Sequence, residues 1–134
     1  MDKKIISIDG SKRVKTAAEK NNEARLKLTE YIKTGKILKG EVKGVERINN
    51  DVSVAVLYYN DYKVIIPATE MIDIQYAPDR DRNQQEQYLL SKRLGSEIDY
   101  VVMKIDEEQE IALASRKQAM KAISKARYID LDKD

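Results

Sequence analysis

The chain contains no cysteine and no histidine. The first absence excludes a disulfide framework and a thiolate metal centre. The second removes the commonest general base and the commonest metal ligand. Phe and Trp are missing as well, so every aromatic side chain is one of eight Tyr. The five Gly are scattered and form no phosphate-cradling loop. No apolar run approaches the ~20 residues of a membrane span, and the apolar part of MDKKIISIDGSKR is too short for a secretory signal. These absences lead to the expectation of a soluble, cytoplasmic, non-catalytic protein with no cofactor, no metal and no membrane partner.

What remains is 134 residues, enough for one domain with extensions. At 42% hydrophobic and 36% charged, the chain pairs an ionic surface with enough Ile, Val, Leu and Met to fill a small core. The net charge of +2 conceals an asymmetry. Residues 1–47 carry 13 Lys/Arg against 7 Asp/Glu, and residues 48–134 carry 12 against 16. A basic first third is suited to phosphate, or is simply a solvated helix.

From Gly35 to Met71 apolar and polar residues alternate, the mark of half-buried strands. The alternation predicts three consecutive antiparallel strands: Lys36 to Arg47 with Gly40 and Gly44 on it, Val52 to Tyr59, and Tyr62 to Ile66. Asn49-Asn50-Asp51 and Asn60-Asp61 supply the turns. Before them, Ile5, Ile6 and Ile8 are compatible with an edge strand or a tail over residues 1–15. Thr16-Ala-Ala-Glu19 fits a capping box, which predicts a helix over 16–34 stopped by Gly35. Val14, Ala17, Asn21, Ala24, Leu28 and Tyr31 form a heptad-like seam on it. The seam serves either self-association or a protein partner, or docks Leu28, Tyr31 and Ile32 on the sheet. Asp81 caps a second helix over 81–94, with Leu90 and Leu94 inward. Strands at Glu97 to Asp106 and Glu110 to Ala114 follow. Ser115-Arg-Lys-Gln118 opens a last helix with Ala119, Met120, Ile123 and Ala126 on one side, ending in a loose acidic tail from Tyr128. Asp130-x-Asp132-x-Asp134 imitates the start of a calcium loop but lacks its Gly and distal Glu.

Five short strands with a helix between the third and the fourth is the element order of the oligonucleotide-binding barrel. The fold expected is therefore mainly β with helical additions, a five-stranded antiparallel barrel over 35–115 followed by a helix and acidic tail over 116–134. Within that order, several phrases resemble the RNA-binding repeat of bacterial ribosomal protein S1 over about residues 24–120. They are Thr34-Gly35-Lys-Ile-Leu-Lys-Gly40-Glu-Val42, Val-Ile-Ile-Pro67-Ala-Thr-Glu70, Leu94-Gly95-Ser-Glu-Ile-Asp-Tyr-Val-Val-Met-Lys-Ile-Asp106 and Ile111-Ala-Leu-Ala-Ser115-Arg-Lys117. The resemblance implies a barrel that binds single-stranded RNA on one face through aromatics of the second and third strands and nearby cations. This chain departs from that pattern, with Ser53 and Ala55 on the second strand, Val64 or Ile65 on the third, Pro67 at a His position and Glu110 where a base is expected.

Single-strand binding needs stacking surfaces and cations along the backbone. Tyr58 and Tyr62, beside Tyr59 at the hairpin turn, are the candidate stacking rings. Lys39, Lys43 and Arg47 on the first strand and Lys63 on the third are the candidate phosphate contacts, with Lys104, Arg116 and Lys117 extending the patch. The bland alternative is tyrosines packed on a helix and lysines that only solubilise. A one-residue slip of the second strand would exchange its faces. Two functions therefore stand: a module for single-stranded RNA of low sequence specificity, or a structural or protein-interaction barrel, for example of phage or mobile-element origin, that has lost RNA.

Overall fold

The computed structural model describes residues 16–48 and 52–132. The expected tail over 1–15 and the turn Asn49-Asn50-Asp51 lie outside the described residues. The chain begins with α1, Ala17–Thr34, whose start is the capping box read from the sequence. The Glu19 amide donates to Thr16 Oγ1 at 3.1 Å, and the Thr16 amide donates to Glu19 Oε1 at 2.9 Å. Gly35 ends the helix in the left-handed region, φ 71°, and its N–H donates to the Tyr31 carbonyl. Ala24 and Leu28 are buried in the main core, with Tyr31 and Ile32 packed against it. Tyr31 also meets Tyr59 edge-to-face at 6.1 Å. The seam residues Ala24, Leu28 and Tyr31 therefore dock on the chain's own sheet.

Among the described residues six strands follow, where five were expected: β1 Leu38–Glu41, β2 Gly44–Ile48, β3 Val52–Tyr59, β4 Tyr62–Pro67, β5 Glu97–Asp106 and β6 Ile111–Ser115. Their hydrogen-bonded order is β1-β5-β6-β4-β3-β2. The extra strand arises because the single first strand expected from the alternation changes partner midway. Val42 N–H donates to the Ser96 carbonyl and the Val42 carbonyl accepts from Gly95, whereas Lys43 N–H donates to Val56. Residues before this point pair with β5 and residues after it with β3. The sheet is also not wholly antiparallel. β4 and β6 run parallel, because the helical connection and β5 intervene between them.

Gly40 has the structural reason suspected for it. A Cβ there would lie 3.0 Å from Leu57 Cδ2 and 3.2 Å from the Tyr100 ring, so its absence lets the strand close over the core. The hairpin between β3 and β4 turns at Asn60 and Asp61, with φ of 48° and 73°. Two adjacent left-handed residues suit the twist of a two-residue hairpin.

Between β4 and β5 lie two helices instead of one, α2 Ala68–Met71 and α3 Arg82–Ser91. Asp81 caps α3 by accepting from the Gln84 amide at 2.9 Å. The helix stops at Ser91, three residues short of the expected end, and Leu94 on the following turn is 50% exposed. The last helix, α4 Arg116–Asp132, opens with the Gln118 amide donating to Ser115 Oγ at 3.0 Å. It runs through 128–132, where a loose tail was expected. On α4 Ala119 is buried but Met120 faces outward. Mainly sheet with helical additions is the correct coarse description.

The main core collects inward residues of the strands, among them Leu38, Leu57, Ile66, Ile98, Tyr100 and Ala112 with Val45 of β2 packed against them, and is closed by Leu28, Met71 and Leu90 of three helices. Burial pushes the Tyr100 phenol from 10.0 up to about 12. The unfolded state then releases its proton at lower pH than the folded state. Stability from this group is complete below pH 10 and is lost as pH rises toward 12. Urea midpoints measured from pH 9 upward should fall over that window, and Tyr100→Phe should flatten the fall.

Candidate nucleic-acid interface

Residues directly opposite across a ladder share a face of the sheet, so the registers define rows. One outward row runs Lys104, Leu113, Ile65, Val56 and Gly44 across β5, β6, β4, β3 and β2. The next runs Asp106, Ile111, Lys63 and Tyr58. A third places Pro67 opposite Val54 and Val54 opposite Glu46. The result is an apolar outer face edged by charges. Val54, Val56 and Ile65, all buried, form its centre, with Ile48, Ile111 and Leu113 packed around them.

On this face the structure brings together two of the expected site residues directly, Tyr58 and Lys63, and adds Lys104 at its β5 margin. Tyr58 is 48% exposed, which leaves ring area for stacking. Lys63 Nζ is 2.8 Å from Glu46 Oε1, so its charge is balanced by a carboxylate that a phosphate would have to displace.

The other expected residues lie elsewhere. Tyr62 is opposite Tyr59 and points inward, 2% exposed, in the main core. It offers no stacking surface, because residues one apart on a strand face opposite ways. Its hydroxyl is buried without a hydrogen-bond partner among the described residues. Burial, followed by the charge of Glu110, raises its pKa. An orphaned buried hydroxyl is unfavourable by about 1–3 kcal/mol. Tyr62→Phe is therefore expected to keep or raise the melting temperature and to leave nucleic-acid affinity unchanged.

Lys39 projects from β1 opposite Asp99 and pairs with it at 3.2 Å. Lys43, in the two-residue link between β1 and β2, pairs with Glu41 at 3.4 Å. Arg47 is exposed and alternates with Glu46, so it leaves β2 on the opposite face from the apolar rows. Arg116 opens α4, where its Nη1 donates to the Met71 carbonyl at 2.9 Å. Burial, and then the neighbouring Arg93, lower its pKa. This is an architectural contact that ties α4 to the end of α2. Lys117 is likewise engaged, 2.7 Å from Asp73.

Ile111 and Leu113 of this face were not anticipated, because the alternation marks them as strand residues without assigning a face, whereas Ile65 stands at one of the two third-strand positions where the resemblance implies a binding-face ring. The junction of α1 with the β5–β6 turn was also missed. Asn21 Nδ2 donates to Glu110 Oε1 at 3.1 Å, and Arg25 lies 3.5 Å from Glu107. The wrong-signed Glu110 thus has a local task, holding the helix over the sheet.

Among the described residues no group of three or more carboxylates is placed to hold a metal ion. A cleft of about 650 Å³ lies between α3 and the preceding loop, lined by residues such as Gln75, Ala77, Gln85 and Tyr88. Gln85 is committed there to binding the loop's own backbone at Ala77 and Arg80. Among the described residues no helix is long and apolar enough to cross a membrane.

No known protein family and no characterised protein matches the chain.

Proposed function

We propose that the chain is a non-catalytic module that binds single-stranded RNA with low sequence specificity on the outer face of β2, β3, β4 and β6. The observation that carries the reading is the strand order. β1 and β2, the two ends of that order, are joined by only Val42 and Lys43. The six-stranded sheet is not closed into a barrel. Treating β1 and β2 as one bent strand that links β5 to β3 supports a reading as the oligonucleotide-binding barrel, with a parallel pairing of its third and fifth strands and helices between its third and fourth. It is also the fold implied by the resemblance to the ribosomal protein S1 repeat. Fold alone does not specify function; the site-level support is Tyr58 beside Lys63 on that barrel's outer face, with Lys104 in the adjoining row.

Fluorescence anisotropy of labelled single-stranded RNA at two ionic strengths tests the proposal. Binding is expected at low salt and should weaken as salt rises, because phosphates neutralised by cations release counterions. No binding at the lowest salt would sink it.

One observation favours the second reading, a structural or protein-interaction barrel. The centre of the face is Val54, Val56 and Ile65, without a ring, while Ser53 and Ala55, the second-strand positions at which the resemblance implied a ring, are buried on the opposite side; and Lys39, Lys43 and Lys63 are each paired with a carboxylate. Light scattering separates the two. A concentration-dependent mass without RNA affinity identifies the second, and a monomer that binds RNA identifies the first.

A further inference from the structure

Tyr62 is 2% exposed, yet its hydroxyl has no hydrogen-bond partner among the described residues. Buried polar groups in folded proteins are almost always paired, and an exception marks a place where a water or a ligand belongs. The ring lines a cleft of about 250 Å³ together with Asn21, Asn22 and Arg25 of α1 and Glu107 and Glu110 of the turn between β5 and β6. The charges acting on its phenol are those of Glu110, Arg25, Glu107 and Asp106, so the hydroxyl is the end of the ring turned toward the cleft.

Three of those four charges are negative. The cation among them is loosely held: Arg25 Nη1 lies 3.5 Å from the Glu107 carboxylate, whose side chain is 71% exposed, while its Nη2 donates to Asn22 Oδ1 at 2.8 Å. An exposed ion pair of that kind contributes about 0–1 kcal/mol and is readily exchanged.

We propose that this cleft binds the primary ammonium group of a small aliphatic diamine or polyamine, with Tyr62 Oη, Glu110 and Glu107 as its acceptors. The binding does not rest on the function proposed above.

The acceptors select that class of ligand. Among the described residues the carboxylates form no group placed to hold a metal ion, so a bare divalent cation would find too few oxygens. An ammonium carries three donors on a compact head. The cleft offers them separate acceptors: the unpaired Tyr62 oxygen, the Glu110 carboxylate whose Oε1 already accepts from Asn21, and the Glu107 carboxylate once Arg25 swings aside. A second ammonium on the same molecule meets the rest of the turn, because Asp106, Glu107, Glu108 and Glu110 fall within five residues.

Titration of the isotope-labelled full chain with putrescine, followed by NMR, tests the site. Saturable shifts are expected at the Asn21 side-chain amide and at the backbone amides of residues 107–111. Tyr62→Phe keeps every charge and should weaken putrescine binding severalfold. That variant is expected to keep or raise the melting temperature, so the loss could not be laid to unfolding. Arg25→Gln removes the internal cation and should tighten binding severalfold. No saturable shift at millimolar putrescine overturns the proposal. So does unchanged affinity in Tyr62→Phe, or a magnesium titration at the same ionic strength that reproduces the same shifts, since either result describes a counterion gathered by the acidic turn. Unchanged or weaker binding in Arg25→Gln would put the amine outside the cleft and overturn the proposal as well.

Discussion

Replacing Leu57 with alanine is expected to lower the unfolding free energy by about 2–5 kcal/mol, the range for truncating a fully buried leucine. Leu57 is 0% exposed and sits opposite Val64 on the inward side of β3. Its Cδ2 also occupies the space that a Cβ on Gly40 would need, at 3.0 Å. This makes Gly40→Ala a second probe of the same contact. Alone it should cost about 1–3 kcal/mol through overpacking against Leu57 and Tyr100. Combined with Leu57→Ala it should cost less than the sum, because the new methyl enters the space that the truncation vacates. A small domain has only about 5–15 kcal/mol of stability, so both effects are large. Urea titration measures them, with constant slope as the check that only stability has changed. Strict additivity would mean that the strand closes over the core for some other reason.

The fates of Gly40 and Tyr62 show where the sequence was informative. Caps and turns were legible because they depend on a few neighbouring residues. The Thr16–Glu19 box, the Gly35 stop, the Asn60-Asp61 hairpin and the Asp81 cap all appear where their local chemistry places them. Among the described residues alternation located the strands, but as five runs where there are six. The division of the first strand at Val42 was not legible, because it depends on which distant carbonyls, those of Ser96 and Val56, are near. Tyr58 and Tyr62 both flank the turn, so sequence position alone marks both as exposed rings. The register fixes Tyr62 opposite Tyr59 on the inward face, so only Tyr58 is left for a ligand. Charge was the least legible property of the site. A lysine in a sequence does not disclose its partner, and Lys39, Lys43 and Lys63 each acquire one only when Asp99, Glu41 and Glu46 are brought alongside. The continuation of α4 through Asp132 shows the same limit, since an acidic stretch was compatible with either helix or tail.

Tyr58→Ala is expected to weaken RNA binding by about 1–3 kcal/mol, the contribution of one base stacked on an aromatic ring. At 48% exposure the ring contributes little to folding, so the melting temperature should change slightly compared with the affinity. Lys63 is expected to respond differently, because its ammonium is held by Glu46 at 2.8 Å in the free protein. Lys63→Gln should reduce the slope of log affinity against log salt by about 0.7, the value for one phosphate contact on a single strand. Glu46→Gln should act in the opposite direction. Without its carboxylate, a phosphate no longer has to displace an intramolecular partner, and a like charge disappears from beside the RNA. Tighter binding in Glu46→Gln, together with weaker binding in Tyr58→Ala, would place the RNA on the face where β3 meets β4, a combination that general electrostatic attraction to the basic first third of the chain could not produce. If Tyr58→Ala keeps the parent affinity and Lys63→Gln keeps the parent slope, RNA does not use that face, and the apolar rows serve a protein contact instead.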